Sequence, residues 1–536
     1  MNHLSACDYA VFFVYLVGIS AYGYWVYRSK KKKRTDTKDY FLAEGSLTWW
    51  AIGASIIASN ISAEHFIGMS GSGFAMGLAI ASYEWMAAAT LIIVAAFFIP
   101  IYLKNHIYTM PQFLRNRYND TVSTLMTVFW LLVYVFVNLT SIFFLGALAI
   151  ETITGVSFNV CLIALAIFAV FITLGGMKVI GYTDVVQVFI LVMGGLVTCY
   201  MALQLISDKF STHGILATFP LLRREAGDHF HMIFFPGNKY YQELPGVAVL
   251  AGGLWINNLN YWGCNQYIVQ RALGADLKTA RKGLIFAAFL KLLVPLIVVI
   301  PGIAAFVLYQ HGYFHHEMID AHGTLKPDNA YPVLMNLLPV GLKGLAFAAL
   351  TAAIVASLAG KCNSIATIFT LDIYKKFVNK EASETRMVSI GRGSVVISAL
   401  IAICVAPQLR SFDQVYQFIQ EYVGFISPGI LAIFLLGFFW KRTTSLAALL
   451  AAILTIPLST LLKFLPGVPI PFLHRMSWVF LIIVLVMVVA TLTDRSSKEN
   501  PRGLEIDTRM FRVSPSFIVL SVIIVGILTG LYTVFW

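Results

Sequence analysis

Residues 58–73 read ASNISAEHFIGMSGSG and lie inside a long apolar run, residues 47–73. Asparagine, glutamate, histidine and three glycines are a poor composition for a regular helix in such a run. A helix that unwinds here exposes backbone groups without intrahelical partners, which are tolerated at membrane depth only where they line a protein cavity or bind an ion. The stretch therefore predicts a discontinuous membrane helix.

A second stretch of the same kind is WINNLNYWGCNQ at residues 255–266, with four asparagines among aromatic residues. The two stretches lie within the second and the seventh apolar runs of the chain. Runs two to six and seven to eleven are therefore expected to form two five-helix repeats, each with a broken helix at its start. Packing faces of small residues are an alternative that explains the glycines but not the buried Asn, Glu and His.

The composition places the whole chain in a bilayer. Of 536 residues, 59% are hydrophobic and 12% charged, and the mean hydropathy is +0.79, which excludes a soluble multidomain enzyme. Apolar runs long enough to span a membrane predict an all-α polytopic protein with fourteen transmembrane helices: 7–27, 47–73, 77–103, 122–154, 159–176, 182–206, 245–270, 284–309, 341–374, 390–408, 413–438, 443–463, 476–493 and 514–536.

The formal charge of +12, from 38 Lys and Arg against 26 Asp and Glu, predicts the orientation of these helices. Most basic residues fall on one side of the fourteen runs, and seven of them crowd residues 28–38 after the first run. Because juxtamembrane positive charge marks the cytoplasmic side, we expect both termini outside. We expect a multi-pass protein of the plasma membrane, which in a bacterium is the inner membrane. Its expected partner is the lipid bilayer, with no nucleic acid and no obligatory protein partner.

Four segments follow from the run order. Residues 1–46 are predicted as an extra N-terminal helix with a basic cytoplasmic loop, 47–244 and 245–440 as the two inverted repeats, and 441–536 as three C-terminal helices.

Polar side chains inside the runs are the candidates for function, because each costs about 2.5–3.5 kcal/mol at the bilayer centre on insertion scales. Besides the two stretches above, they include Glu84 next to Tyr83, Lys291, and Gln420 with Glu421. Carboxylate, amide and ammonium groups beside aromatic rings suit a neutral sugar. Trp130, Tyr134 and Asn138, spaced four apart, form either part of such a site or a packing stripe.

Four segments in this order resemble the sodium/solute symporter family, in particular its sodium-coupled sugar carriers of bacteria and animals. They are residues 58–85, 254–271, 363–374 (NSIATIFTLDIY) and 416–441. The resemblance covers nearly the whole chain. It implies fourteen helices around a leucine-transporter-type five-plus-five inverted repeat, a secondary transporter and not an enzyme, and import of a glucose- or galactose-like monosaccharide with Na⁺ by alternating access.

The same resemblance implies the roles of particular residues. The sugar site would consist of Asn60, His65, Glu84, Asn258, Tyr261, Lys291 and Gln420. Tyr261 would also serve as the inner gate, with Met69, Tyr83 and Tyr416 as the outer gate.

The coupling ion would be bound by carbonyl oxygens of Ala58, Ile61 and Ala353 and by the hydroxyl of Ser357. Ala356 stands where the family has a second hydroxyl, and Ala359 stands where members with two sodium ions have one, so we expect at most one Na⁺ per sugar. Asp184 matches a residue on the route by which sodium leaves.

Lys361 lies one helical turn after Ser357. It either acts as a built-in cation that replaces or competes with Na⁺, or it snorkels towards the cytoplasm and pairs with Asp184 or Asp372. The first reading gives a sodium-independent or proton-linked carrier of a sugar or polyol, with inositol and sialic acid as further substrates. A membrane-embedded sugar- or lipid-modifying enzyme is a remote alternative, because it would want catalytic clusters in sizeable loops.

Overall fold

The computed structural model describes residues 4–29, 47–173, 177–212, 214–319, 323–411, 415–465, 469–498, 502–504 and 506–536. The basic residues of the first connection between 30 and 38, on which the predicted orientation depends, lie outside these ranges. Within them the chain forms helices and no β-strand, apart from an isolated antiparallel bridge between Ile319 and Leu325.

The first half of the chain, up to residue 244, contains eleven α-helices in its described part. They are α1 (Ala6–Ser29), α2 (Trp49–Asn60), α3 (Ser70–Met76), α4 (Ser82–Ile93), α5 (Ile99–Lys104), α6 (Met110–Arg117), α7 (Asp120–Leu132), α8 (Thr140–Thr154), α9 (Phe158–Thr173), α10 (Met177–Lys209) and α11 (Ile215–Glu225). Wide π-helical turns at Glu64–Met69, Val94–Phe98 and Val133–Leu139 join neighbouring helices, and 3₁₀ turns lie at Gly77–Ala81 and Gly227–Phe230.

The described part of the second half contains thirteen more. They are α12 (Ala248–Ala251), α13 (Gly253–Gly263), α14 (Gln266–Leu273), α15 (Leu277–Gln310), α16 (His315–Met318), α17 (Ala330–Asn336), α18 (Leu342–Ile368), α19 (Glu384–Val405), α20 (Val415–Gly424), α21 (Ser427–Phe439), α22 (Ser445–Lys463), α23 (Phe472–Thr493) and α24 (Pro515–Val534). A π-helical segment, Phe369–Val378, extends α18.

Ten helical segments in the described residues are long and apolar enough to cross a bilayer, or eleven if α20 and α21, bent by 44°, form one span. The fourteen predicted runs are therefore not matched by fourteen continuous helices. Runs 47–73 and 245–270 are interrupted in their middle, and run 159–176 contains a helix of only 16 residues, α9. One segment, Glu64–Lys104, joins the end of the second run to the third.

The predicted break in the second run is confirmed. The helix α2 ends at Asn60, Ile61 has an extended backbone (φ −72°, ψ 122°), and the chain resumes helically at Glu64. Beyond the break, α3 packs against α15 so closely that a Cβ on Gly302 would lie 2.2 Å from the carbonyl oxygen of Ser70. Close backbone packing thus holds the part of the broken helix that follows the break, where α2 no longer supports it.

The second predicted break is confirmed as well. The helix α13 ends at Gly263, and Asn265 has an extended backbone (φ −107°, ψ 122°) before α14 starts at Gln266. The Gln266 side chain accepts a hydrogen bond from the backbone N–H of Met110 (2.8 Å). A buried side chain therefore ties the start of α14 to a neighbouring element.

The helix α18 is at the centre of the bundle and is buried along nearly its whole length. It packs against α1, α2, α10 and α19, and its alanines and glycines allow this close approach. Apolar side chains at the periphery point outwards instead: Val14 in α1 is 74% exposed, Leu485 in α23 62% and Val522 in α24 64%. Such surfaces suit contact with lipid chains and not with water.

The last helix contacts both halves of the chain. The helix α24 packs against α4 and α15, and the backbone N–H of Met232 donates to the carbonyl oxygen of Phe535 (2.8 Å). The division into segments 1–46, 47–244, 245–440 and 441–536 stays a prediction.

A buried arginine binds the carbonyl end of α21. The guanidinium of Arg117 donates to the carbonyl oxygens of Gly437 (2.8 Å), Trp440 (2.9 Å), Lys441 (3.2 Å) and Thr443 (3.0 Å). The last carbonyl groups of a helix have no intrahelical donors, and a positive charge there also interacts favourably with the negative end of the helix dipole. Arg117 therefore fixes α21 to the end of α6.

We expect Arg117→Met to destabilise the protein by about 2–4 kcal/mol, because several buried carbonyl groups lose their donor. The thermal unfolding midpoint of the purified protein in detergent measures the change. Arg223→Met, at an exposed position of α11, is the matched control. Equal midpoints for the two variants would contradict this role of Arg117.

Candidate functional site

A cavity of about 70 Å³ lies between the break in the second run, α4, the π-helical turn 133–139, α13, α20 and α21. Like small-molecule sites, it places a few polar groups among aromatic and apolar side chains. Six of the seven predicted substrate residues line it, namely Asn60, His65, Glu84, Asn258, Tyr261 and Gln420.

The seventh, Lys291, is fully buried and lies behind the cavity wall. Its ammonium donates to Glu84 Oε2 (2.5 Å) and to Asn60 Oδ1, and it lies 5.0 Å from the ring centroid of Trp262. Buried charges need a paired partner and further hydrogen bonds, and Lys291 has both. In this structure it positions two lining residues and does not itself face the cavity.

Glu84 is the centre of a network that joins four elements. Its Oε1 lies 3.3 Å from His65 Nε2 and its Oε2 accepts from Lys291. Asn60 extends the network, because its Nδ2 donates to the Tyr261 hydroxyl (2.8 Å). The break, α4 and α13 thus present a carboxylate, an imidazole, an amide and a phenol to one space, a mixture that can pair several hydroxyl groups.

Two of the three predicted outer-gate residues lie together. The rings of Tyr83 and Tyr416 meet edge to face with centroids 5.8 Å apart, and both residues are buried and line the cavity. Met69 does not line it and is fully buried. The reason is that Gly68 faces Tyr416, with its hypothetical Cβ 2.8 Å from Tyr416 Cβ, so the next residue along the helix turns away.

An aromatic wall forms another side of the cavity. Tyr261 contacts Trp262 and Tyr267, with centroids 5.0 and 5.6 Å apart, and Tyr267 contacts Tyr134 at 5.7 Å. The polar stripe Trp130, Tyr134 and Asn138 lines the cavity too. Its position therefore favours the interpretation that the stripe is part of the substrate site over the interpretation that it is only a packing surface. Flat ring faces of this kind suit the C–H surface of a sugar ring.

The asparagines of α13 are divided in their roles. Asn257 donates to Gln420 Oε1 (3.1 Å) and so holds a predicted substrate residue. Both ends of the Asn258 amide are used within the same helix, since Nδ2 donates to the Leu254 carbonyl and Oδ1 accepts from Trp262 Nε1, each at 3.1 Å. The sequence interpretation did not include Asn257, Trp262 or Tyr267 among the site residues, although the polar and aromatic richness of residues 255–266 was a usable signal.

Glu421 lies outside this cavity. Its Oε1 pairs with Arg475 (2.8 Å) and Lys463 (3.0 Å). Consecutive residues of a helix point in directions about 100° apart, so Gln420 faces the cavity while Glu421 faces away from it.

The four residues predicted to bind the coupling ion lie at the end of α2 and in α18, two helices that pack against each other. Ala58, Ile61, Ala353 and Ser357 are all fully buried. The Ser357 hydroxyl donates to the carbonyl oxygen of Ser59 (2.7 Å), and a Cβ on Gly360 would lie 2.8 Å from Ser59 Oγ. Carbonyl groups in the last turn before a break lack helical donors, so this junction offers neutral oxygens to a small cation.

Lys361 does not form either of its predicted ion pairs. Its Nζ lies 3.8 Å from Glu64 Oε2 and 5.3 Å from the Tyr267 ring centroid. At 1% exposure it does not snorkel to the cytoplasm. Asp184 instead accepts from Ser55 Oγ (2.5 Å) and lies 3.6 Å from Arg271 Nη2. The pairings differ from the prediction because Lys361 faces the segment after the break, where Glu64 begins the wide turn.

Glu64 is satisfied by several donors. Its Oε1 accepts from Ser141 Oγ (2.5 Å) and its Oε2 from Ser62 Oγ (3.2 Å). It also lines the cavity. The Glu64–Lys361 pair thus adds a second buried ion pair next to the one formed by Glu84 and Lys291.

A bundle of apolar spanning helices, two of them broken beside a buried polar cavity, is the architecture of secondary transporters. The chain belongs to the sodium:solute symporter family, whose family model matches residues 40–455. The predicted family is confirmed.

Curated relatives match over most of the chain. A sodium/glucose cotransporter of Vibrio parahaemolyticus is 47% identical over 540 residues, which cover 99% of each chain. The human sodium/myo-inositol cotransporter 2 is 33% identical and covers 82% of this chain and 67% of its own. Sodium/glucose cotransporter 4 of Danio rerio is 31% identical over 87% of this chain and 73% of its own.

Solved structures share the fold. A Na⁺-coupled sialic acid symporter, in a substrate-bound outward-open state, superposes with a TM-score of 0.77 at 22% identity, covering 91% of this chain and 98% of that one. A nucleobase-cation-symport-1 family transporter gives a TM-score of 0.54 at 15% identity, covering 88% and 99%.

The network around Glu84 decides which variants test the site. We expect Gln420→Ala to abolish or strongly reduce substrate uptake and to leave thermal stability near that of the wild type, because it removes only neutral hydrogen bonds, with Asn257 and Tyr416, and leaves no buried charge unpaired. Glu84→Ala leaves the Lys291 charge buried and unpaired, which costs about 3–5 kcal/mol. Uptake and the unfolding midpoint are measured for both, and normal uptake by Gln420→Ala would contradict its place in the site.

Proposed function

We propose that this protein imports a monosaccharide of the glucose or galactose type together with Na⁺ by alternating access. The observation that carries the proposal is the hydrogen-bonded network of Glu84, Lys291, His65, Asn60 and Tyr261 in a cavity at a helix break. The sodium/glucose cotransporter of Vibrio parahaemolyticus, similar over the full length, supports the substrate class.

The cavity suits a polyol for chemical reasons. Carboxylate and amide oxygens accept hydrogen bonds from hydroxyl groups, while amide and phenol groups donate to them. Tyr261, Trp262 and Tyr134 add apolar ring faces. Substrate-binding roles are proposed for Asn60, His65, Glu84, Asn258, Tyr261 and Gln420, and a positioning role for Lys291. Tyr83 and Tyr416 are proposed as the outer gate and Tyr261 as the inner gate.

The fold is proposed to be fourteen membrane crossings with two inverted repeats, 47–244 and 245–440, between an N-terminal helix and three C-terminal helices. The support is that the breaks after Asn60 and Gly263 lie in runs two and seven, five apart. The basic residues at 28–38 favour an N-terminus on the outside of a bacterial inner membrane, and an even number of crossings then leaves the C-terminus on the same side.

One Na⁺ per sugar is proposed to bind at the carbonyl oxygens of Ala58, Ile61 and Ala353 and the hydroxyl of Ser357, and to leave past Asp184. Binding at this junction of α2 and α18 favours the state that accepts sugar, and loss of the ion inwards releases both substrates. A membrane potential of 100 mV supplies about 2.3 kcal/mol per charge, which corresponds to roughly 50-fold accumulation of a neutral sugar.

The Glu64–Lys361 pair supports one alternative, a sodium-independent or proton-linked carrier of a sugar or polyol. A buried ammonium one turn from Ser357 lies close to the proposed ion junction, where it can take over part of the role of a bound cation. This alternative makes a different prediction about the ion requirement.

We expect sugar uptake into proteoliposomes to require an inward Na⁺ gradient, both in the wild type and in the charge-neutral double variant Glu64→Gln/Lys361→Met. The double variant is used because either single change leaves one charge buried and unpaired. Radiolabelled glucose and galactose uptake is measured with Na⁺ and with choline in its place.

Undiminished wild-type uptake in choline would contradict Na⁺ symport. If the double variant then lost its uptake in choline and gained a Na⁺ requirement, Lys361 would be the built-in cation. Absence of gradient-driven accumulation of any sugar or polyol would contradict the transport proposal itself.

A further inference from the structure

Asn260 belongs to the cavity wall but not to the predicted substrate residues. It lies on α13, is 5% exposed and lines the cavity between Asn258 and Tyr261 in sequence. Its side-chain Nδ2 donates to Ser427 Oγ (2.9 Å), at the first residue of α21. The amide is therefore anchored at its nitrogen end.

The partner determines which end of this amide is left for a ligand. The Ser427 hydroxyl donates its own hydrogen to the carbonyl oxygen of Val423 (2.9 Å). Its oxygen therefore has to act as the acceptor towards Asn260, which requires the NH₂ end there. Asn260 Oδ1 is then the opposite end of the amide, and it has no hydrogen-bond partner in the described structure.

A buried carbonyl oxygen without a donor is unfavourable, and most such atoms in folded proteins have a partner. The neighbouring amides do not share this feature. Asn257 is joined to Gln420, and Asn258 is satisfied within α13. Asn260 thus presents an acceptor that is rigidly held, buried and unused by the protein.

We propose that Asn260 is a specificity-determining residue whose Oδ1 accepts a hydrogen bond from one hydroxyl group of the transported sugar. The proposal rests on the proposed function, in that the substrate is a polyol. A site built to pair a hydroxyl discriminates against analogues that lack it, because its own polar group then stays unpaired. Asn260 on α13 and Glu84 on α4 would accept from different hydroxyl groups and so fix the orientation of the ring.

The test combines sugar analogues with variants of one residue. Binding of glucose, galactose and their monodeoxy derivatives is measured by competition against radiolabelled sugar on the purified full-length protein in Na⁺. For the wild type we expect one deoxy position to weaken binding by at least about tenfold. Asn260→Leu should remove the penalty at that position alone, while the penalties at the other positions remain.

Two further variants separate hydrogen bonding from packing. Asn260→Asp retains an acceptor of the same shape, and the Ser427 hydroxyl can turn from the Val423 carbonyl to donate to the carboxylate, which keeps the side chain anchored. This variant should therefore keep the wild-type discrimination between sugar and deoxy sugar. Ser427→Ala removes the anchor of the amide nitrogen and should reduce the same penalty. These two also decide the question if Asn260→Leu does not fold.

The proposal would be overturned if Asn260→Leu kept every loss of affinity that the wild type shows for the deoxy sugars. It would also be overturned if Asn260→Asp and Asn260→Leu discriminated equally between sugar and deoxy sugar. Either result leaves the transport of sugars intact. If the wild type binds none of the sugars, the proposed function fails first, so the two failures are distinguishable.

Discussion

The interruption of the second membrane run after Asn60 is the constraint on which the rest of the site depends. In a bilayer every backbone polar group has to be satisfied within the protein, so a break in a spanning helix requires surrounding elements that shield and use the freed groups. Here α18 shields it on one side, through Ser357 and Gly360. On the other side the cavity begins, with Asn60 and His65 in its wall.

Three buried ion pairs stabilise the elements around this break: Glu84–Lys291, Glu64–Lys361 and Asp184–Arg271. In each pair the acid comes from the first half of the chain and the base from the second. Loss of one partner strands a buried charge, which is far more costly than loss of the pair as a whole. The pairs therefore join the two halves of the bundle around the broken helix, where a transporter has to rearrange.

Sequence patterns predicted the elements whose chemistry is local. Both breaks follow from polar residues and glycines within apolar runs. The seven substrate residues were implied by the family resemblance and not by spacing, and six of them line one cavity. The partner of Lys361 was not predictable in the same way, because Glu64 is distant in sequence and the wide turn that orients it is a consequence of packing. Met69 illustrates the same limit, since only the contact between Gly68 and Tyr416 shows that the neighbouring side chain turns away. The role proposed for Asn260 depends on its hydrogen bond to Ser427 in another helix, and residue spacing does not predict that contact.

Coupling between the ion junction at α2 and α18 and the sugar cavity is most directly tested by thermodynamic linkage, because two ligands that share one conformational state raise each other's affinity by the same factor. The measurement is the dissociation constant of the preferred sugar for the purified protein, determined by titration calorimetry at increasing Na⁺ with constant ionic strength. The sugar should bind more tightly as Na⁺ rises, and Na⁺ should bind more tightly in saturating sugar by the same factor. A sugar affinity that is identical in Na⁺ and in choline would contradict a site in which the broken helix couples the two.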